Sequence, residues 1–258
     1  MLGWLRTLTL DAWSDLLRAN PPDAEPSPSD TYKVLGVYLV AGLVLWFNKF
    51  FSWNSFGMLG LAPPEYTGYW NRVWWACVVS TSYFVPGALY VKLVLKHRLR
   101  DYGFRLDGLL SHLPLYFFFF GVVFPFVVVL SGTDHFLRAY PLAKAAGATW
   151  TMLIIWELAY ALQFVTLEFF FRGFMIFGPR KTLGVWVVPI MAMPYLMLHF
   201  QKPPLEAVGS IIAGMALGMV ALHTRSIYAG MMIHIAVAWS MDLLALYHKG
   251  DLMRLLGP

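Results

Sequence analysis

Glu168 and Arg172 stand in the run Leu167-Glu168-Phe169-Phe170-Phe171-Arg172-Gly173, inside a long apolar stretch. An ionised carboxylate and a guanidinium at mid-membrane depth cost several kcal/mol unless they pair, which makes such residues functional candidates. Spaced by four, they lie one turn apart on one helix face and within reach of each other. Two isolated histidines, His199 and His234, follow in later apolar segments. One carboxylate and two imidazoles permit two chemistries. They could hold a divalent metal such as zinc with an open position, as sites of two histidines and a glutamate do. Alternatively, Glu168 and one histidine could activate water while the other histidine stabilises an oxyanion. Arg172 suits the role of electrostatic partner, because a guanidinium hardly ever gives up its proton. A purely structural reading is also open, in which the pair locks its helix to a neighbour.

Other hydrolytic chemistries find no support. The helix motif with two histidines four apart is absent, as is Gly-x-Ser-x-Gly. Cys77 is the only cysteine and has no histidine beside it. His112, His135, His223 and His248 fall near the ends of apolar stretches and read as ordinary interfacial or loop residues.

The elements that must position these groups are membrane helices. Of 258 residues, 59% are hydrophobic and 13% charged, where an average soluble domain carries about 25% charge. The composition is that of an all-α, polytopic helical bundle in a lipid bilayer. A formal charge of +5 does not point to nucleic acid, since basic residues of membrane proteins gather in loops and set orientation. Apolar stretches long enough to span run near 34–52, 72–95, 109–131, 147–178, 183–200, 205–223 and 226–247. That is seven spans. An eighth arises if the long fourth stretch breaks near Gly147 or Glu157. With seven, the N-terminal side collects 11 lysines and arginines against seven on the other side, which places the N-terminus in the cytoplasm.

Four regions follow. Residues 1–20 read as an amphipathic helix lying on the interface, with Leu2, Leu5, Leu8, Ala12 and Leu16 at helical spacing. Residues 21–32 are a Pro-rich linker. N-terminal transmembrane helices fill 33–146, and 147–258 holds the core with the candidate site. In the sixth span, the small residues Gly209, Ala213, Gly214 and Gly218 allow close helix approach and would position the histidine-bearing helices. One conflict is built into this reading. Counted from the 178–181 turn, Glu168 lies some 10 residues back and His199 some 18 forward. At about 1.5 Å per residue their depths differ by roughly 12 Å. Tilt, or breaks near Pro189 and Pro194, must close that gap.

The order of these residues resembles the CPBP family, the CAAX prenyl proteases and bacteriocin-processing or Abi-type proteins, a group of intramembrane proteases. That family carries Glu-Glu-x-x-x-Arg, a Phe-x-x-x-His-like segment and His-x-x-x-Asn in successive helices. Glu168-Phe169-Phe170-Phe171-Arg172 looks like the first, Tyr195-Leu196-Met197-Leu198-His199 the second, and His234 the third. The resemblance runs from about 150 to 242. Leu167 stands where the family has its first glutamate, and Ala238 where it has asparagine.

The resemblance implies an endopeptidase of the bacterial inner membrane. Its substrate would be a membrane-associated or lipid-modified peptide or protein, cleaved by glutamate- and histidine-activated water with no cofactor required. Glu168, His199 and His234 would be catalytic, and Arg172 would hold Glu168 in place. Glu206 would line the entrance, and Asp242 would orient polar groups in its own helix. Leu167 and Ala238 favour the alternative, a non-catalytic CPBP-like scaffold or immunity protein.

Overall fold

The computed structural model describes residues 10–52, 60, 63–107, 109–200 and 204–257, with the side chains of 10–12 and 204–206 excepted. Among these residues there is no strand. Helix α1 (Leu10–Ala19) precedes α2 (Pro28–Phe51), α3 (Thr67–Leu93), α4 (Leu109–Ser131) and the short α5 (Asp134–Ala139). Then come α6 (Trp150–Glu168), α7 (Met175–Phe177), α8 (Arg180–Leu183) and α9 (Val187–Met197). Helices α10 (Pro204–Thr224), α11 (Tyr228–His248) and α12 (Asp251–Leu256) complete the order. Residues 1–9 of the expected interfacial helix lie outside the described residues. Among the described residues, six helical stretches are long and apolar enough to cross a bilayer: Pro28–Phe51, Pro64–Leu93, Leu109–Ser131, Trp150–Phe177, Ala207–Thr224 and Tyr228–His248. The chain is an integral membrane protein. Along α2, Leu35, Leu39 and Leu43 are each more than half exposed, at a spacing of four that aims one apolar stripe at lipid.

The start of α2 shows how local sequence sets an element. Ser27 accepts a hydrogen bond from the Asp30 N–H at 3.1 Å and donates to the Asp30 carboxylate at 2.7 Å, a reciprocal cap. Pro28 occupies the first helical position, where its missing N–H costs nothing. The helix therefore begins inside the proline-rich 21–32 segment.

Two stretches differ from the sequence expectation. The fourth is not broken at Glu157; it runs as α6 from Trp150 and then, immediately after Glu168, becomes a π-helix over Phe169–Phe174. Gly147 lies before it, in a 3-10 turn at Ala146–Ala148. The stretch 183–200 becomes a 3-10 turn at Gly184–Trp186 followed by α9, which is 11 residues long and has Pro194 inside it. Eleven residues at about 1.5 Å each reach roughly 16 Å, about half of a 30 Å hydrocarbon core. Helix α9 is a half-length helix.

The chain divides into two compact units. One comprises Met1–Val44, Tyr83–Leu113 and Leu167–Gly230; the other comprises Leu45–Ser82, Pro114–Thr166 and Met231–Pro258. In the first unit α10 packs along α9 through its glycines. A Cβ at Gly214 would sit 3.0 Å from Tyr195 Cδ1, and one at Gly218 would sit 2.9 Å from Val188 Cγ1. Gly209 has nothing within 4 Å. The expectation that these small residues position a histidine-bearing helix holds for Gly214 and Gly218. Gly218→Val should therefore cost about 1–3 kcal/mol through overpacking, read as a lower Tm in detergent, while Gly209→Val leaves Tm near that of the wild type.

Candidate active site

The π-helical turn is the local device that builds the site. A π segment inserts one extra residue per turn, so side chains beyond it face differently from those of a continuous α-helix, and such insertions recur at functional sites. Here the segment starts one residue after Glu168 and carries Arg172. Both side chains have 0% exposure, and Arg172 Nη1 lies 3.0 Å from Glu168 Oε1. The sequence expectation of a pair one turn apart is met. Apolar rings enclose the segment. Phe170 packs on Tyr83 with ring centres 4.9 Å apart, and Phe169 on Phe84 at 5.0 Å and on Phe104 at 5.4 Å. In such low-dielectric surroundings each charge is stable only because the other is present.

Arg172 has a second partner. Its guanidinium carbon sits 4.2 Å from the centre of the Tyr195 ring, a cation–π contact that strengthens when water is excluded. None of its nitrogens makes a hydrogen bond among the described residues. Arg172 is thus held by charge on one side and by a ring face on the other. Tyr195 in turn packs on the ring of His199, with centroids 5.0 Å apart. His199 Nδ1 lies 3.0 Å from the Tyr195 carbonyl oxygen. A carbonyl only accepts, so Nδ1 carries the hydrogen, and Nε2 is the basic nitrogen of the neutral ring. Glu168, Arg172, Tyr195 and His199 form one connected series. The 3-10 turn and the short α9 precede and carry Tyr195, whose ring meets Arg172 on one side and His199 on the other.

Gly230, in the first turn of α11, is the site residue that sequence reasoning missed. A Cβ there would fall on the Glu168 carboxylate. The backbone of α11 thus approaches the carboxylate as closely as only glycine allows. Its signal in the sequence is slight: one glycine four residues ahead of His234.

In the second unit, His234 is half-buried and stacks on Phe164, with ring centres 5.4 Å apart and planes 12° apart. Asp242 is fully buried and accepts a hydrogen bond from Trp156 Nε1, on α6, at 2.6 Å. Ala238 is 4% exposed within an apolar cluster that includes Tyr69, Trp156 and Tyr160, where an asparagine would need a polar partner of its own. Leu167 is 6% exposed. Glu206 belongs to the first turn of α10, and its side chain lies outside the described residues. Among the described residues no three His, Cys, Asp or Glu side chains are grouped so as to hold a metal ion.

Residues 148–240 match the family model described as Type II CAAX prenyl endopeptidase Rce1-like. The matched segment contains Glu168, Arg172, Tyr195, His199, Gly230 and His234, and it bears out the resemblance to the CPBP intramembrane proteases. No curated protein and no solved structure matches the chain.

Removing one member of the ion pair should be far worse than removing both. Arg172→Met leaves a buried carboxylate without its counter-charge and should destabilise the protein by about 3–5 kcal/mol. The double variant Glu168→Leu/Arg172→Met should recover most of that loss in the same unfolding measurement.

Proposed function

With residues 148–240 matched to the type II CAAX prenyl endopeptidase family, we propose that this chain hydrolyses a peptide bond in a membrane-associated or lipid-modified protein. The observation that carries the reading is the buried Glu168–Arg172 pair at the family's Glu-x-x-x-Arg position, joined to His199 through Tyr195. Glu168 takes a proton from water, and the water oxygen attacks the scissile carbonyl carbon. As the tetrahedral intermediate collapses, the C–N bond breaks and that proton passes to the leaving amine. The products are a carboxylate and an amine, with water consumed. His199 orients the water through its basic Nε2, and Arg172 fixes the carboxylate.

His234 enters as the donor to the oxyanion, on its place in the family motif and its seat against Phe164. No step is routed through a metal. The protein belongs in the bacterial inner membrane with its N-terminus cytoplasmic, in keeping with the excess of basic residues on that side. Helix α1 (Leu10–Ala19) then lies along the interface.

Glu168 has no solvent exposure, so water and substrate reach it only after a local opening. That sealing, together with Leu167 and Ala238, favours a second reading in which the pair is a structural lock in a non-catalytic membrane scaffold. The two readings separate on one variant. Glu168→Gln keeps the shape of the side chain and should reduce cleavage of a lipid-modified peptide in vesicles by roughly 10²–10⁴-fold, the range expected for a lost general base. Unchanged turnover would remove Glu168 from catalysis, whereas a wild type without cleavage over a broad panel of such peptides would favour the scaffold. Gly230→Ala should displace the carboxylate and lower kcat by about 10²-fold, with KM much less affected.

A further inference from the structure

A second polar feature, lined by none of the residues assigned to the proposed chemistry, is a cavity of about 570 Å³ in the first unit. Arg105, Arg180, Lys181 and Arg225 line it, with Asp101 as the one acidic residue among the described lining residues. Asp101 is already engaged, at 3.1 Å from Arg105. Arg180 Nη1 is buried and has no hydrogen-bond partner among the described residues. Burial and then the charge of Arg105 push the Arg225 guanidinium below its usual range. Among the described lining residues, Arg180, Lys181 and Arg225 have no carboxylate beyond Asp101 to offset their charge.

The wall is also firmly built. Arg225 holds a left-handed backbone with φ 56°, a conformation that non-glycine residues keep only where the surroundings enforce it. Here the enforcement is visible. Ser226 Oγ donates to the Arg105 carbonyl at 3.0 Å, and the Ile227 N–H donates to the Gly103 carbonyl at 3.0 Å. On the same wall His97 Nδ1 and the Tyr102 hydroxyl are 3.0 Å apart.

The position narrows the ligand. Apart from Phe177, every lining residue lies just outside the spans that end at Leu93, Phe177 and Thr224. The cavity therefore sits at the depth of headgroups. Guanidinium forks match phosphate oxygens in pairs, and the volume exceeds what a bare phosphate needs. We propose that this cavity is a binding site for a phosphate-bearing anion, with Arg180 and Arg225 as its principal ligands. A phospholipid headgroup and free phosphate share that chemistry.

The test uses full-length protein stripped of lipid in neutral detergent. One arm titrates phosphatidylglycerol against phosphatidylcholine and reads bound lipid by native mass spectrometry. The other titrates inorganic phosphate and reads the shift in Tm. The site predicts saturable binding in at least one arm, weakened at least tenfold in Arg180→Gln/Arg225→Gln and less in the corresponding Arg→Lys variants. Preference for phosphatidylglycerol identifies a lipid headgroup; binding in the phosphate arm alone identifies the free anion. The Tm without ligand reports the folding of each variant, and the single variants Arg180→Gln and Lys181→Gln carry the test if the double variant is unfolded. Binding in neither arm, or equal binding by wild type and folded variants, overturns the proposal.

Discussion

An arginine and a glutamate sealed from water inside a membrane helix constrain everything around them. Neither charge is tolerable alone at that depth, and both have zero exposure with 3.0 Å between them. The neighbouring elements can be understood as what is needed to keep that contact. The π-helical turn begins just after Glu168 and carries Arg172, aromatic rings pack around it, and Tyr195 offers its face to the guanidinium. Gly230 gives up a side chain where one would collide with the carboxylate. Each of these is a packing decision made in favour of an ion pair.

The half-length helix α9 follows from the same constraint. A full span from 183 to 200 would carry His199 well away from the depth of Glu168. Folding that stretch into a 3-10 turn and 11 helical residues instead presents Tyr195 to Arg172 and leaves His199 one turn beyond it. Helix α10 then fixes α9 through Gly214 and Gly218, which approach Tyr195 and Val188 closely. Small residues on α10 thereby fix the helix that leads into His199.

Much of this was legible before any coordinates. The cost of charge in lipid singles out Glu168 and Arg172, and the spacing of small residues announces the α10 face. The depth mismatch calls for tilt or for breaks near Pro189 and Pro194, whereas the irregular turn lies at Gly184–Trp186 and α9 runs through both prolines. What could not be read has physical reasons. A π turn depends on which carbonyl each N–H selects, and no residue type dictates that choice. Tyr195 is one of 13 tyrosines, and only the short α9 gives it a cation to cover. Hydropathy measured the apolar run 183–200 correctly but is blind to whether that run stays one straight helix. The cationic cavity draws on segments near 97–105, 177–181 and 225, which no local pattern joins.

An ion pair at this depth requires Glu168 to be an ionised carboxylate held by Arg172 inside the bilayer. The direct measurement is the infrared difference spectrum of wild type against Glu168→Gln, in lipid at neutral pH. With the pair ionised, the substitution removes an ionised carboxylate band and leaves the region of protonated carboxyl groups unchanged. Loss of a protonated carboxyl band instead would show a neutral Glu168 and contradict both the ion pair and the base assigned to it.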